Sequence, residues 1–186
     1  MQKMMFPLPE INFEEKIKEF REEKLDFLNK QIKKFISPQN PSFTKIQKKK
    51  RHFRASQGFK GGMPKKTLYI TRYLKDYFEN YDCVVQLEVK TNARLSYIIE
   101  KYNKVINRRL STKNVSGFGY IDMRVISKNQ VLDIEIDSRN NPRSICKLLY
   151  CREELGSNIL WIRHTTMFKN FMNTSLYQKI NIIEVI

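Results

Sequence analysis

The sequence predicts an α/β domain in which helices flank a mixed central sheet. Helix-like and strand-like segments alternate over residues 67–186, as in α/β proteins. Two short strands at 119–137 form a hairpin, and an amphipathic helix then leads to an apolar strand. With 41% hydrophobic residues, the 186-residue chain can bury the core of one domain. These three observations favour one α/β core preceded by an extension.

We divide the chain into an N-terminal helical extension (1–42), a basic arm (43–66) and an α/β core (67–186). Residues 12–36 predict an amphipathic helix with Asn12 as its N-cap, and the breakers of "SPQNPS" end it. This helix either packs on its own domain or contacts a partner. Its apolar positions are Phe13, Ile17, Phe20, Leu25, Leu28, Ile32 and Phe35.

The positive charge is concentrated in one part of the chain. No acidic residue lies between Phe27 and Lys75, a stretch with 14 of the 35 basic residues, which leaves 21 basic against 19 acidic residues elsewhere. A cluster of this kind indicates a polyanionic partner. In the arm, cations could neutralise phosphates, and interleaved aromatic residues could stack on bases; a disordered tail or a localisation signal are the alternatives. The predicted nucleic-acid contacts are Lys45, Lys48, Lys49, Lys50, Arg51, Arg54, Lys60, Lys65 and Lys66.

Cysteine usage and hydropathy predict a cytoplasmic protein. Cys83, Cys146 and Cys151 are odd in number and lack metal-ligand spacing, which predicts free, buried thiols in a reducing compartment. No apolar run approaches the roughly 20 residues of a membrane span, and the N-terminus lacks the apolar run of a secretory signal. We therefore expect no membrane partner.

The core segments follow from their periodicity. Predicted helices cover 67–81, 93–110 (capped by Asn92) and 142–155, with a partly helical stretch near 166–179. The predicted strands are 83–90, which buries Cys83, Val85, Leu87 and Val89, the two hairpin strands, 159–163 and 180–185, with a loop at 111–119.

The hairpin places four carboxylates on two strands. If Lys128 and Asn129 form the turn, Asp122 lies opposite Glu135 on the face that also carries Asp137, and Arg124 lies opposite Asp133. Facing like charges destabilise a sheet, whereas a divalent cation such as Mg²⁺ makes them favourable. A solvated hairpin with a surface Arg124–Asp133 pair is the alternative.

The segment after the hairpin predicts a crossover. Asn141 as N-cap, Pro142 in the first turn and Gly156 at the end delimit a helix whose buried stripe is Ile145, Leu148, Leu149 and Leu155. Strands 131–137 and 159–163 should therefore be parallel neighbours. Asp137 then ends its strand at the sheet edge where ligands bind in α/β proteins.

This order of elements, with Asp122 on one strand and "IEID" on the next, resembles the core of the PD-(D/E)xK nucleases, a restriction-endonuclease-like αβββαβ fold. The resemblance covers residues 67–163. It implies that Asp122 and Glu135 bind Mg²⁺, or Mn²⁺ in its place, and that the substrate is double-stranded DNA. The usual Lys falls on Asp137, which could bind a second metal ion or orient water. Lys147 or Arg143 could supply the missing cation.

The resemblance implies a metal-dependent endonuclease of the restriction or repair type, and a homodimer or a larger complex if both strands are cut. A non-catalytic nucleic-acid-binding or assembly protein on the same fold is the main alternative, and an RNA-binding accessory protein is the third. Glu88 and Lys90 match the motif by letter, but the nearest acid, Asp82, is about 20 Å along the same strand. Glu88 is therefore a secondary candidate, as are Glu79 on the first core helix and His164 just past the apolar strand.

Overall fold

The computed structural model describes residues 7–35, 65–106, 110–138, 141–164 and 180–185. Within them five strands form one mixed sheet in sequential order. β1 pairs antiparallel with β2 and β2 with β3, whereas β3–β4 and β4–β5 are parallel. The strands are β1 (Val84–Arg94), β2 (Phe118–Ile126), β3 (Val131–Asp137), β4 (Asn158–Arg163) and β5 (Asn181–Glu184).

The helices lie on both faces of this sheet. We name them α1 (Phe13–Glu19), α2 (Leu25–Phe35), α3 (Lys65–Glu79), α4 (Leu95–Tyr102) and α5 (Pro142–Leu155), and a π-helical turn (Phe20–Lys24) joins α1 to α2. In the first hydrophobic cluster, α1, α2 and α3 pack on side chains of the sheet. In the second cluster, α4 and α5 pack on other side chains of the sheet. Along β4, successive residues from Ile159 to Ile162 alternate between the two clusters, and because side chains alternate along a strand, the clusters lie on opposite faces of the sheet there. The α/β class and the mixed sheet are confirmed.

The N-terminal helix packs on its own domain. Asn12 Oδ1 accepts hydrogen bonds from the N–H groups of Glu14 and Glu15 at 3.1 and 3.5 Å, which confirms the N-cap. Phe13 and Phe20 are buried against α3, with ring centroids 6.1 Å from Phe78 and 5.2 Å from Tyr77, respectively. The helix predicted at 12–36 is confirmed, although the π-helical turn interrupts it.

The crossover also forms as predicted. α5 begins at Pro142, with Asn141 Oδ1 accepting from the Arg143 N–H at 3.2 Å, and ends at Gly156 in the left-handed region at φ 67°. It leads from β3 to the parallel strand β4. One position of its predicted stripe is wrong. Leu155 is 37% exposed, because the last turn of α5 reaches past the second cluster.

The helix predicted at 93–110 is wrong in its bounds. β1 continues to Arg94, which pairs with Phe118, so α4 begins only at Leu95 and its N-cap is Arg94. Asn92 cannot cap it, because its Oδ1 accepts a hydrogen bond from the Tyr150 hydroxyl. Val85, Leu87 and Val89 are only half-buried, since β1 is an edge strand. The stretch near 166–179 lies outside the described residues.

The three thiols are free and buried, as predicted from the cysteine count. The chain's three cysteines all lie within the described residues. In that part of the chain, no helix has both the length and the apolar character of a bilayer span.

Candidate active site

The hairpin has the predicted register. The Ser127 N–H donates to the Gln130 carbonyl at 3.0 Å across the Lys128–Asn129 turn, and Arg124 pairs with Asp133. The ladder ends at Met123 and Ile134. One step further, Asp122 Oδ2 accepts a hydrogen bond from the Ile136 N–H at 2.8 Å. The Asp122 side chain thus bridges to β3 where the two backbones separate.

The Arg124–Asp133 pair is buried on one side instead of lying at the surface. Nε and Nη2 of Arg124 bond Oδ1 and Oδ2 of Asp133 at 2.7 and 2.9 Å, and the Asp133 side chain is fully buried. The alternating pattern of the strand could not reveal this, because α5 covers the polar face of β3. The bidentate geometry satisfies both carboxylate oxygens, so this acid is structural.

Lys147 of α5 reaches the acid face of the hairpin. Its Nζ lies 2.6 Å from Glu135 Oε1 and donates a hydrogen bond to the Tyr120 carbonyl at 2.7 Å. The contact with Glu135 is a short, buried ion pair, and its hydrogen bond is one of the interactions that act on the pKa values of both groups. Lys147 follows Ser144 by three positions and precedes Cys151 by four, and both are buried. Helical spacing therefore turns Lys147 toward the sheet.

The charges of four residues are coupled, and we call Asp122, Glu135, Asp137 and Lys147 the carboxylate–lysine cluster. Burial raises the pKa of Glu135 well above its usual value; the Lys147 charge opposes this, and the Asp122 and Asp137 charges add to it. Burial by itself would lower the pKa of Lys147, but the three acids raise it above the usual value. The ammonium is therefore held charged among the carboxylates, where it offsets their repulsion.

Two side chains hold Asp137 of the cluster. The Trp161 indole N–H donates to Oδ2 at 2.8 Å, and the Asn141 amide lies 3.5 Å from Oδ1. Burial, and secondarily the Asp122 charge, raises the pKa of Asp137 to about 6. Sequence reasoning missed Trp161. The parallel register that pairs Trp161 with Glu135 could have indicated it, since both residues then share a face.

His164 lies at the same sheet edge. Its backbone N–H donates to the Asp137 backbone carbonyl at 3.0 Å, and its ring Nε2 lies 2.6 Å from the Thr67 hydroxyl. Burial, assisted by the Lys66 charge, lowers the pKa of His164 to about 4. The imidazole is therefore neutral at neutral pH. It joins α3 to the end of β4.

The other candidates have different surroundings. Arg143 is exposed in the first turn of α5, and Glu79 pairs with Lys75 on α3. Glu88 lies opposite Asp122 in the β1–β2 register, between the pairs Leu87–Met123 and Val89–Ile121. Its φ of 54° is unusual for a residue other than glycine.

The acids match the ligand preference of a hard cation in type. Carboxylate oxygens suit Mg²⁺ and Mn²⁺, and Glu135 and Asp137 lie close enough for their charges to act on each other. Within the described ranges, however, no three Asp, Glu, His or Cys side chains are gathered as a ready-made metal site. As the side chains stand, the Lys147 ammonium occupies the position beside Glu135 that a metal ion would take.

Most of the predicted nucleic-acid contacts lie outside the described residues, namely Lys45, Lys48, Lys49, Lys50, Arg51, Arg54 and Lys60. Lys65 and Lys66 open α3, so the helix begins two residues earlier than predicted. The charge of Lys66 acts on His164, which places this end of the arm near the edge that carries Asp137.

Models of known families, curated proteins and solved structures gave no match to this chain.

Proposed function

We propose that this protein is a metal-dependent endonuclease that hydrolyses phosphodiester bonds in DNA. The observation that carries the proposal is the position of Lys147, whose Nζ lies 2.6 Å from Glu135 Oε1. A cation beside two or three carboxylates is what phosphodiester hydrolysis requires, since one charge type holds the metal ion and the other meets the phosphate. The strand position that carries Asp137 has no lysine, and α5 supplies one.

Each residue of the cluster has a role that its contacts support. Asp122, Glu135 and Asp137 would hold Mg²⁺, which when bound would lower the pKa of a water and neutralise charge on the phosphate. Lys147 would turn from Glu135 to the scissile phosphate. Trp161 and Asn141 orient Asp137, and the Ile136 N–H orients Asp122. Anchored carboxylates lose little side-chain entropy when they bind.

The substrate class rests on charge. The net charge of +16 is concentrated around the arm, and such a segment would grip the phosphates of a duplex. Cutting both strands would require two copies of this site, so we expect a homodimer on the DNA.

A non-catalytic nucleic-acid-binding protein on the same fold is the second candidate. It is favoured by the Lys147 ammonium, which bonds both Glu135 and the Tyr120 carbonyl, as a purely structural ion pair would. In that case Lys147 would stay in place, and the cluster would only join α5 to the hairpin.

The test is cleavage of supercoiled plasmid with Mg²⁺, Mn²⁺ or EDTA, using the wild type and the isosteric variants Asp122→Asn and Glu135→Gln. We expect metal-dependent nicking or linearisation that both variants lose while they keep DNA binding. The Lys147→Met variant should lose cleavage as well. Exposed Glu100 provides the matched control, because Glu100→Gln removes one carboxylate outside the cluster and should cleave normally. Salt-sensitive binding without cleavage under any metal would support the second candidate.

A further inference from the structure

β2 carries an exposed aromatic ring, and the neighbouring strand β1 carries two exposed cations. Phe118 is 38% exposed, and the Lys90 ammonium lies 3.7 Å from the centre of its ring. Arg94 is the direct partner of Phe118 in the ladder, so the two side chains start from one face with Cβ atoms about 5 Å apart. We call Lys90, Arg94 and Phe118 the stacking patch.

The strand that presents the two cations is irregular. The β1–β2 register shifts between Lys90 and Arg94, and Glu88, two residues before Lys90, has a φ of 54°. Irregularities of this kind re-aim side chains and are frequent beside active sites. Among the described residues, neither Lys90 nor Arg94 takes part in an ion pair. No acidic side chain among the described residues therefore neutralises either cation, and the Lys90 ammonium contacts only one face of the Phe118 ring.

The stacking patch adjoins the carboxylate–lysine cluster through Tyr120. Tyr120 pairs with Lys90 in the ladder, and its carbonyl accepts the hydrogen bond from Lys147. Phe118 precedes Tyr120 by two positions, about 7 Å along the strand. A strand of nucleic acid that crosses the stacking patch would reach the cluster directly.

The composition of the patch selects its ligand. An exposed aromatic ring can stack on a nucleobase, and the adjacent cations can neutralise the phosphates on either side. In a duplex both faces of a base are already stacked on its neighbours, so only an unpaired base offers a free face. We propose that the stacking patch binds an unpaired nucleobase and its flanking phosphates. Combined with the proposed nuclease activity, on which this extension rests, the substrate carries a single-stranded segment beside the cleaved bond.

The experiment measures binding without cleavage, by fluorescence anisotropy of labelled oligonucleotides in EDTA. A single strand and a blunt duplex are each titrated with the wild type, Phe118→Ala and Phe118→Trp. We expect Phe118→Ala to weaken single-strand binding by roughly 5- to 150-fold, the loss of one base–aromatic stack. Duplex binding should change less than twofold, and Phe118→Trp should restore single-strand affinity because it restores the aromatic face. Arg94→Gln should reduce the salt dependence by about one phosphate contact.

Tyr97 supplies the matched control, because it is 51% exposed on α4 outside the stacking patch. Tyr97→Ala should bind both oligonucleotides as the wild type does. Equal single-strand affinity of Phe118→Ala and the wild type would overturn the proposal, and so would an equal loss in Tyr97→Ala. Plasmid cleavage tests the enzyme separately. If no metal supports cleavage but Phe118→Ala still loses single-strand binding selectively, the patch is upheld and the nuclease is not.

Discussion

At the scale of single residues, the Glu135–Lys147 ion pair is a contact whose disruption should destabilise the protein. Both side chains are largely buried, and removing one partner of such a pair leaves an uncompensated charge. Lys147→Met should therefore lower the free energy of unfolding by about 3–5 kcal/mol. The double variant Glu135→Gln/Lys147→Met should recover most of this loss. Urea denaturation measures both differences.

The matched comparison is Lys101→Met, which breaks the ion pair with Glu154 at the surface. This change should have little effect on urea denaturation, because exposed pairs contribute little. If the double variant were as unstable as Lys147→Met alone, the uncompensated charge of Glu135 would not be the cause.

Asp137 makes stability depend on pH in a known direction. Its pKa in the folded protein, about 6, lies above the ordinary value of 3.8. Its contribution to the free energy of unfolding is therefore fully present below pH ~3.9 and is lost as pH rises through 6. Asp137→Asn does not titrate, and the amide oxygen can still accept from Trp161. As pH rises from ~4 to ~7, the free energy of unfolding of this variant should increase by on the order of 2 kcal/mol relative to that of the wild type.

His164 titrates with the opposite sign, because its pKa is lowered to about 4. Its contribution is present above its unfolded pKa and falls with decreasing pH. The difference between the wild type and Asp137→Asn cancels this contribution, because both proteins keep His164. A difference in unfolding free energy that stays flat over the range would contradict the pKa shift of Asp137.

At the scale of elements, the cap of α5 links helix stability to the cluster. Asn141 caps the helix and also places its amide 3.5 Å from Asp137. Asn141→Ala should cost about 1 kcal/mol of stability, seen as a lower unfolding midpoint. Asn141→Ser should keep the cap but lose the contact with Asp137. If cleavage is also reduced in the Ser variant, the amide positions the acid; full cleavage would assign Asn141 to the helix alone.

The same helix shows why part of the fold could be predicted. Asn141, Pro142 and Gly156 are local signals, so the sequence predicts the first and last residues of α5 correctly. Asn92 looked like an equally good cap, but its partner is Tyr150, 58 positions away, and no local pattern reports such a contact. The sequence offers both Arg143 and Lys147 as the cation, since spacing cannot tell which turn of a helix meets the sheet. Trp161 depended on the parallel register and was missed.

At the scale of the whole molecule, the uneven charge makes the proposed DNA binding testable. The stretch from Phe27 to Lys75 holds 14 basic and no acidic residues, so DNA affinity should fall steeply with salt. Replacing Lys48, Lys49 and Lys50 with Gln should lower the slope of log K against log salt by up to about 3. Anisotropy titrations between low and moderate salt measure it. An unchanged slope would show that the phosphates are bound elsewhere.

The buried thiols allow the opening of the native protein to be timed. Cys146 and Cys151 lie on α5 on either side of Lys147, and burial raises the pKa of Cys146 to about 12. Alkylation requires an accessible thiolate, so a reagent such as iodoacetamide can reach them only when α5 separates from the sheet. Cys83, in the first cluster, reports on the opposite face. When reclosing is faster than alkylation, the labelling rate at Cys146 therefore measures the fraction of molecules in which the helix that carries Lys147 is separated from the sheet.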